Sequence, residues 1–269
     1  MKKILFTDLD GTLLNNESKI FPEMKQALDD MIAAGNTLVL ASGRPLNSIL
    51  EVKENAGISY SGMYITANNG SLIYDCDAKK SIYEIRVSLD DVSKVWKLAA
   101  SMQVHIQTYT EDAIIVGKDD EETKFYRRKI HLPLIISDNP LKVLSVPPYK
   151  LLAIDLHDKN HLVQFADAIR EMSGNRLSTI FSSDTYLEVF NSTAGKGRAL
   201  QWLCDYLSIP VADSIASGDA ENDLSMLKAA GLSVAMCNGS DILKEQADII
   251  TARSNHENGL SDIIYKYML

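Results

Sequence analysis

Few cysteines and no long apolar segment limit the classes of protein that this sequence can encode. Cysteine occurs three times in 269 residues, without a C-x-x-C pair, which argues against both a disulfide framework and a cysteine-based zinc site. Apolar runs such as 38–41 are far too short to cross a bilayer. The N-terminal stretch reaches Asp8 too early for a signal peptide. We therefore expect a cytoplasmic protein that does not associate with a membrane.

Basic residues are in the minority, with 27 Lys and Arg against 36 Asp and Glu and a formal net charge of −9. Nucleic-acid binding needs clustered positive charge. The nearest basic cluster, 124–129, follows the acidic residues 119–122 in one predicted helix. That order suits the helix dipole and indicates a solvated helix face. We expect no nucleic-acid partner.

Signatures of several hydrolase classes are also absent, because G-x-x-x-x-G-K-[ST], G-x-S-x-G and H-E-x-x-H do not occur. The five histidines lie outside the motifs described below. His157 and His161 are four residues apart at a predicted helix start and could in principle bind a metal. We interpret them instead as surface residues of that helix.

Short apolar runs alternate with helical patterns at both ends of the chain. The composition, 46% apolar and 23% charged, is that of an ordinary globular protein. Continuous apolar runs, typical of buried parallel strands, occur at 4–6, 38–41, 233–236 and 249–250. Helical spacing predicts helices at 22–34 and 196–207. This alternation predicts an α/β fold with a doubly wound, mainly parallel, Rossmann-like core.

The middle of the chain has a different pattern. A capping box at Ser88 begins a predicted helix, and strands and helices then follow in a β-α-β-β-α-β-like order. The interval from Ser42 to Lys196, 154 residues, is far longer than a sheet crossover needs. We therefore predict an inserted α+β cap domain at 84–186 and a discontinuous core of 1–83 and 187–269.

The first predicted strand runs directly into D-L-D-G-T, which contains Asp8 and Asp10. At positions i and i+2 both carboxylates can point the same way while the chain is extended. At a separation of about 5 Å they would repel by roughly 3 kcal/mol in an effective dielectric near 20. A bound cation would relieve this repulsion, and an all-oxygen site suits Mg²⁺. The alternative is a pair of turn aspartates before Gly11.

Three further polar segments follow predicted strands or begin predicted helices. A small hydroxyl and a glycine precede one helix and could cradle a phosphate, although a plain βα turn is the alternative. A lysine begins another helix, where the helix dipole disfavours its positive charge. A bound anion or carboxylate would compensate that charge. The alternative is an exposed surface lysine. An acidic segment begins a third helix, where acids also act as ordinary caps. In order, these segments are Ser42-Gly43-Arg44, Gly195-Lys196-Gly197 and Gly218-Asp219-Ala220-Glu221-Asn222-Asp223.

Together these motifs resemble the haloacid dehalogenase (HAD) superfamily and, within it, the Cof-type sugar-phosphate phosphatases. The resemblance spans nearly the whole chain, and the D-L-D-G-T and G-D-A-E-N-D segments are its most specific parts. Such relatives commonly have Val-Ser-Lys or Val-Asn-Lys at the lysine motif, whereas this chain has Ala194-Gly195-Lys196. The lysine itself is retained.

The resemblance implies a set of residue roles. Asp8 would be the nucleophile that forms an aspartyl-phosphate, and Asp10 would act as general acid and then general base. Mg²⁺ would be held by Asp8, the Asp10 backbone carbonyl and Asp219, with Asp223 supporting these ligands. The phosphoryl group would be bound by Ser42, Gly43, Lys196 and Asn222, and the remainder of the substrate would contact Arg44 and Asn69.

The expected function is therefore Mg²⁺-dependent hydrolysis of small phosphorylated metabolites, sugar phosphates in particular. Two alternatives stay open: a phosphomutase that returns the phosphoryl group to its substrate, and a non-catalytic regulatory protein on the same scaffold. A degenerate copy would be expected to lose a first-motif carboxylate or the lysine, and this chain keeps both. The physiological substrate and the oligomeric state are not predicted.

Overall fold

The computed structural model describes residues 2–128, 130 and 132–269. Within them no helix is long and apolar enough to cross a membrane. In chain order the elements are β1 (Ile4–Thr7), α1 (Pro22–Ala33), β2 (Thr37–Ala41), α2 (Leu46–Asn55), β3 (Tyr64–Ala67), β4 (Leu72–Asp75), β5 (Lys80–Glu84), α3 (Leu89–Met102), β6 (His105–Tyr109), β7 (Ile114–Val116), α4 (Glu121–Tyr126), β8 (Leu134–Ile136), β9 (Lys150–Ile154), α5 (Lys159–Ser173), β10 (Leu177–Ser183), β11 (Tyr186–Asn191), α6 (Lys196–Tyr206), β12 (Ser214–Gly218), α7 (Leu224–Ala229), β13 (Leu232–Ala235), α8 (Asp241–Gln246), β14 (Ile249–Ile250) and α9 (Gly259–Tyr267).

The chain divides into two compact units. The first contains the residues up to Glu84 together with Ala194–Leu269. Its sheet has the order β14-β13-β12-β1-β2-β3-β4-β5, in which the strands from β14 to β3 are parallel and β4 and β5 are antiparallel. The predicted doubly wound, mainly parallel core is confirmed.

The central strand β1 is buried on both faces, which explains its continuous apolar sequence. Ile4 and Phe6 pack with Leu200 and Leu203 of α6 in one hydrophobic cluster. Leu5 alternates with them and is also fully buried, so it faces the opposite side of the sheet. Helices therefore cover both sides, and the polar residues that follow the strand lie at the carboxyl edge of the sheet.

The second unit, Ile85–Thr193, contains a six-stranded sheet within its described residues, in the order β10-β11-β9-β6-β7-β8. Its pairs are antiparallel except for β7 and β8. Helices α3 and α5 pack on this sheet through a cluster that includes Trp96, Phe165 and Leu187. The unit extends past the predicted boundary at 186 because β11 pairs with both β9 and β10.

The element order of the second unit differs from our β-α-β-β-α-β prediction. Each of α3, α4 and α5 is followed by two strands, and β8 and β10 were not predicted. Both are edge strands and are only partly buried. The apolar run of β8 is only three residues long, and β10 mixes Ser and Thr with its apolar residues. Helix α4 is shorter than the predicted charged helix, and Lys129 of the predicted basic cluster lies outside the described residues.

Candidate active site

Loops that follow three neighbouring parallel strands carry the candidate residues at one edge of the first sheet. Asp8 follows β1, Ser42 follows β2, and Asp219 follows β12. Strand β1 lies between the other two. Parallel strands bring their carboxyl ends to the same edge, where open α/β proteins bind ligands. The sheet therefore gathers polar residues that are far apart in the sequence.

A buried ion cluster surrounds Lys196, the first residue of α6. Its Nζ donates hydrogen bonds to Asp8 Oδ1 at 2.7 Å, Asp223 Oδ1 at 2.5 Å and the Ala41 carbonyl oxygen at 3.1 Å. The Lys196 side chain is 0% exposed. An ammonium group has three donors, and each has a partner here. The two carboxylates also offset the unfavourable charge that a lysine places at a helix N-terminus.

Burial and mutual charge perturb the protonation of this cluster. Burial raises the pKa of Asp8 well above its ordinary value; Lys196 opposes that shift, while Asp223 and Asp219 add to it. Burial, reinforced by the Asp223 charge, raises the pKa of Asp219 to about 6. Burial alone would lower the Lys196 pKa, but the carboxylates of Asp223 and Asp8 outweigh it and raise that pKa. Lys196 is therefore an ammonium ion, and the neighbouring carboxylates of Asp8, Asp219 and Asp223 repel one another.

The donor set of this cluster fits a divalent cation. Asp8, Asp219 and Asp223 each offer a carboxylate oxygen, and these oxygens lie within 4.8 Å of one another. With Lys196 the formal charge of the cluster is −2, which one Mg²⁺ ion would neutralise, and Mg²⁺ prefers oxygen ligands. Asp223 is already engaged, through Oδ1 with Lys196 and through Oδ2 with the backbone N–H groups of Asp219 and Ala220, both at 3.1 Å. Asp8 and Asp219 are therefore the better candidates for direct ligands.

The loop after β1 closes onto Asp219. Thr12 Oγ1 donates to Asp219 Oδ1 at 3.0 Å. Gly11 adopts a φ of +81°, and a Cβ atom there would lie 2.4 Å from Asp219 Oδ2. A side chain at position 11 would displace the Asp219 carboxylate, so the glycine of D-L-D-G-T is required by both its conformation and this close approach.

Asp10 lies outside the buried cluster. Its side chain is 55% exposed and accepts hydrogen bonds from Arg44 Nε and Nη2, each at 2.7 Å. The repulsion expected between Asp8 and Asp10 is therefore relieved by a separate cation at each carboxylate, Lys196 for Asp8 and Arg44 for Asp10. The family resemblance implied a substrate contact for Arg44, and this ion pair was not predicted.

The predicted phosphate-binding residues of the β2 loop are linked to those of other loops. Ser42 is buried, its hydroxyl accepts from the Arg44 N–H at 3.2 Å, and its carbonyl accepts from the Asn69 N–H at 3.1 Å. Asn222 Nδ2 donates to Asn69 Oδ1 at 3.3 Å. Gly43 lies between Ser42 and Arg44 in this loop. The structure thus links residues of two of the predicted segments through Asn69.

A tight turn after β3 packs against the lysine motif. Asn68 and Asn69 adopt left-handed φ values of 50° and 56°, a conformation that asparagine tolerates better than most residues. Gly70, with a φ of +85°, lies so close to the next segment that a Cβ would be 2.4 Å from the Gly195 carbonyl oxygen. The turn therefore supports the backbone immediately before Lys196.

Sequence reasoning missed three residues that hold these loops in place. Thr12 belongs to the D-L-D-G-T motif, but no role was predicted for it. Asn238 Nδ2 donates to the Gly11 carbonyl at 2.8 Å, and Asn255 Nδ2 donates to the Leu14 carbonyl at 2.8 Å. Asn238 comes shortly after the strand predicted at 233–236, so a search for polar residues after every predicted strand would have found it.

His157 and His161 each have a carboxylate partner of their own. His157 Nε2 lies 3.3 Å from Glu121 Oε2, and His161 Nδ1 lies 2.8 Å from Asp155 Oδ2. His161 Nε2 also contacts the Met102 carbonyl at 2.9 Å. Neighbouring carboxylates therefore engage both side chains.

Comparisons with known proteins agree on one family. A family model described as haloacid dehalogenase-like hydrolase matches residues 5–264. The Bacillus subtilis (strain 168) protein 5-amino-6-(5-phospho-D-ribitylamino)uracil phosphatase YwtE is 29% identical, over 97% of this chain and 96% of that protein. The phosphatase YcsE of the same organism and with the same named substrate is 28% identical, over 99% of this chain and 96% of its own length.

Solved structures give the same result for the fold. A haloacid dehalogenase-like hydrolase from Bacteroides thetaiotaomicron superimposes with a TM-score of 0.86 and 27% sequence identity, covering 99% of each chain. A structure from Thermotoga maritima superimposes with a TM-score of 0.83 and 28% identity, covering 99% of this chain and 97% of the other. Both similarities extend over the first and second units alike.

Proposed function

Because the chain belongs to the haloacid dehalogenase-like hydrolase family, we propose that it hydrolyses small phosphorylated metabolites with Mg²⁺, through an aspartyl-phosphate on Asp8. Its general class is that of a phosphoric monoester hydrolase. The metal, the covalent step and a preference for sugar phosphates are the proposed details.

The buried contact between Lys196 and Asp8 is the observation that carries this proposal. A carboxylate attacking a phosphate monoester brings two anions together, so the reaction needs positive charge at the point of attack. Of the two Asp8 carboxylate oxygens, Oδ1 accepts the hydrogen bond from Lys196 Nζ, which leaves Oδ2 for bond formation. Lys196 would also contact the phosphoryl oxygens as they approach.

In the first step Asp8 Oδ2 forms a bond to phosphorus while the bond from phosphorus to the leaving oxygen breaks. Asp10 gives its proton to that oxygen, which leaves as an alcohol. In the second step Asp10 takes a proton from water, whose oxygen forms a bond to phosphorus as the bond to Asp8 breaks. The products are inorganic phosphate and the original Asp8 carboxylate. Two displacements replace one difficult attack by water.

Mg²⁺ bound by Asp8, Asp219 and the Asp10 backbone carbonyl would supply charge that offsets the phosphate and the crowded carboxylates. Asp223 would hold Lys196 and the Asp219 loop rather than bind the ion directly. The raised pKa of Asp219 supports this assignment. The carboxylate is buried, and the positive charge near it is too small to offset its loss of contact with water.

The phosphoryl oxygens would be bound by the residues that the β2, α6 and β12 segments bring together. We assign Ser42 through its hydroxyl, Gly43 through its backbone N–H, and Asn222 through its side-chain amide. Asn69 borders this set and would contact the rest of the substrate, whereas the Arg44 guanidinium is engaged by Asp10. The relatives YwtE and YcsE act by name on a phosphoribityl compound, so a phosphorylated sugar or sugar alcohol is the substrate class to examine first.

The test is phosphate release from a panel of sugar phosphates, 5-amino-6-(5-phospho-D-ribitylamino)uracil and p-nitrophenyl phosphate. Each assay is run with Mg²⁺, with a chelator, and with the Asp8→Asn and Asp241→Asn variants. Asp241 is an exposed acid at the start of α8, so its variant controls for loss of a carboxylate elsewhere. We expect turnover that requires Mg²⁺, is lost in Asp8→Asn and persists in Asp241→Asn.

A covalent intermediate is tested separately. Acid quenching during turnover should trap phosphate on the peptide that contains Asp8, detected by mass spectrometry. Turnover in Asp8→Asn would contradict the mechanism. Transfer of phosphate between sugar positions with little release would instead establish the phosphomutase alternative, and no reaction with a folded protein would leave a binding role.

A further inference from the structure

Arg44 holds Asp10 through a two-point ion pair. Arg44 Nε donates to Asp10 Oδ2 and Nη2 donates to Asp10 Oδ1, both at 2.7 Å. Two parallel hydrogen bonds from a planar guanidinium fix the position and the plane of a carboxylate, whereas one ammonium contact would leave it free to rotate. Asp10 is otherwise an exposed side chain on a loop, so this pair sets its orientation.

Arg44 is itself held at three points. Its backbone N–H donates to Ser42 Oγ at 3.2 Å, its carbonyl accepts from the Asn68 N–H at 3.0 Å, and Nη1 donates to Ser48 Oγ at 3.4 Å. The guanidinium is therefore fixed relative to the loop that carries the proposed phosphate-binding residues. This arrangement couples the position of the Asp10 carboxyl to the position of the phosphate site.

We propose that Arg44 is a positioning residue for proton transfer, which aims the Asp10 carboxyl at the leaving oxygen of the substrate. The inference rests on the function proposed above and goes beyond it by assigning how Asp10 is oriented. A carboxylate has about four acceptor sites, and the guanidinium takes two. A site on each oxygen is left for the proton that passes to the leaving group and is later taken from water.

The test varies the leaving group while the substrate keeps its shape. A series of aryl phosphates of similar size, phenyl, 4-nitrophenyl and 2,4-dinitrophenyl phosphate, releases phenols that differ greatly in acidity. An acidic phenol leaves without a proton, so only the less acidic ones need Asp10. The quantity to measure is kcat/KM for each substrate, which reports formation of the aspartyl-phosphate.

We expect Arg44→Met to lower kcat/KM on the order of 10²-fold for phenyl phosphate, the usual size of an acid–base contribution, and less than about 10-fold for 2,4-dinitrophenyl phosphate. Asp10→Asn should show the same selective loss, and the double variant should lose little more than either single one. Arg44→Lys keeps the charge but not the two-point geometry, so it should not restore the wild-type dependence.

The chain offers a matched control in Arg253, which pairs with Asp262 through Nε at 3.1 Å and Nη2 at 2.6 Å. Arg253→Met removes the same kind of exposed pair and should leave every rate unchanged. Thermal unfolding of all variants checks that they fold.

Three outcomes of the aryl phosphate experiment would each contradict a different part of the inference. An equal loss across the series in Arg44→Met would overturn the inference and make Arg44 a phosphoryl-binding residue. Full rescue by Arg44→Lys would also overturn it, because charge alone would then suffice. A folded wild-type protein that hydrolyses none of the aryl phosphates in Mg²⁺ would overturn the proposed function, and this inference with it.

Discussion

Replacement of Lys196 by methionine should destabilise the metal-free protein by about 3–5 kcal/mol, the usual cost of breaking a buried ion pair. The variant keeps most of the side-chain volume but removes three hydrogen bonds and leaves Asp8 and Asp223 facing each other without a cation. Part of the cost is relieved because the Asp8 carboxylate, whose pKa burial already raises, can take up a proton. The deficit should therefore shrink as the pH is lowered towards about 5.

Urea unfolding in the presence of a chelator measures this effect. Trp202 lies in the first unit and Trp96 in the second, so Trp202 fluorescence in a Trp96→Phe background reports the unit that contains Lys196. In thermal unfolding the same loss should lower the melting temperature by about 6–20 °C, at roughly 2–4 °C per kcal/mol. Lys19→Met is the control, because Lys19 pairs with Glu17 at 3.1 Å on the surface of the same unit.

The control should cost less than about 1 kcal/mol, as exposed ion pairs usually do. The reasoning would be refuted if Lys196→Met cost no more than Lys19→Met at neutral pH. That result would mean that Lys196 does not neutralise a buried charge, and Asp8, the proposed nucleophile, would then lack its cation. A deficit that grew on acidification would contradict the assigned carboxylate partners.

Three other measurements follow from the same geometry. Gly218→Ala would place a Cβ 2.4 Å from that of Asp223, so urea titration should show a loss of about 1–3 kcal/mol together with reduced phosphate release. The hydrogen bond that His161 donates to the Asp155 carboxylate raises the pKa of His161. The stabilisation is complete below the unfolded pKa near 6.5 and is lost as the pH rises through the higher folded pKa, and His161→Gln should abolish this decline. Asp219 has its pKa raised to about 6, so thermal-shift titrations should show tighter Mg²⁺ binding as the pH rises through that value, and an affinity independent of pH would contradict this protonation.

The core of the fold could be predicted because its central strands leave a strong sequence signal. A strand covered on both faces needs a continuous apolar run, and 4–6 and 38–41 have one. The edge strands β8 and β10 give a weaker signal, because the apolar run of β8 is only three residues long and β10 mixes Ser and Thr with its apolar residues. Their pairing depends on neighbours that are distant in the sequence, so the topology of the second unit required the structure.

The positions of the site residues could be predicted, but their pairings could not. A polar residue after a buried parallel strand must lie at the carboxyl edge, which located Asp8, Ser42 and Asp219. Whether Arg44 contacts substrate or Asp10 depends on how the chain turns after β1, and spacing does not determine that turn. The same limit applies to Thr12, whose hydroxyl reaches Asp219 across two loops.

Basic side chains are unevenly distributed over the acidic residues of the candidate site. Asp8 has Lys196 and Asp10 has Arg44, whereas in the described part of the chain Asp219 is paired with a hydroxyl and with no basic side chain. It is also the carboxylate whose pKa is raised to about 6. The positive charge that this edge still lacks is therefore needed beside Asp219, where the carboxylate oxygens of Asp8 and Asp219 lie within 4.8 Å of each other. A divalent cation there would complete the charge balance, so that an ammonium group and a metal ion would both adjoin the carboxylate of Asp8, the proposed nucleophile.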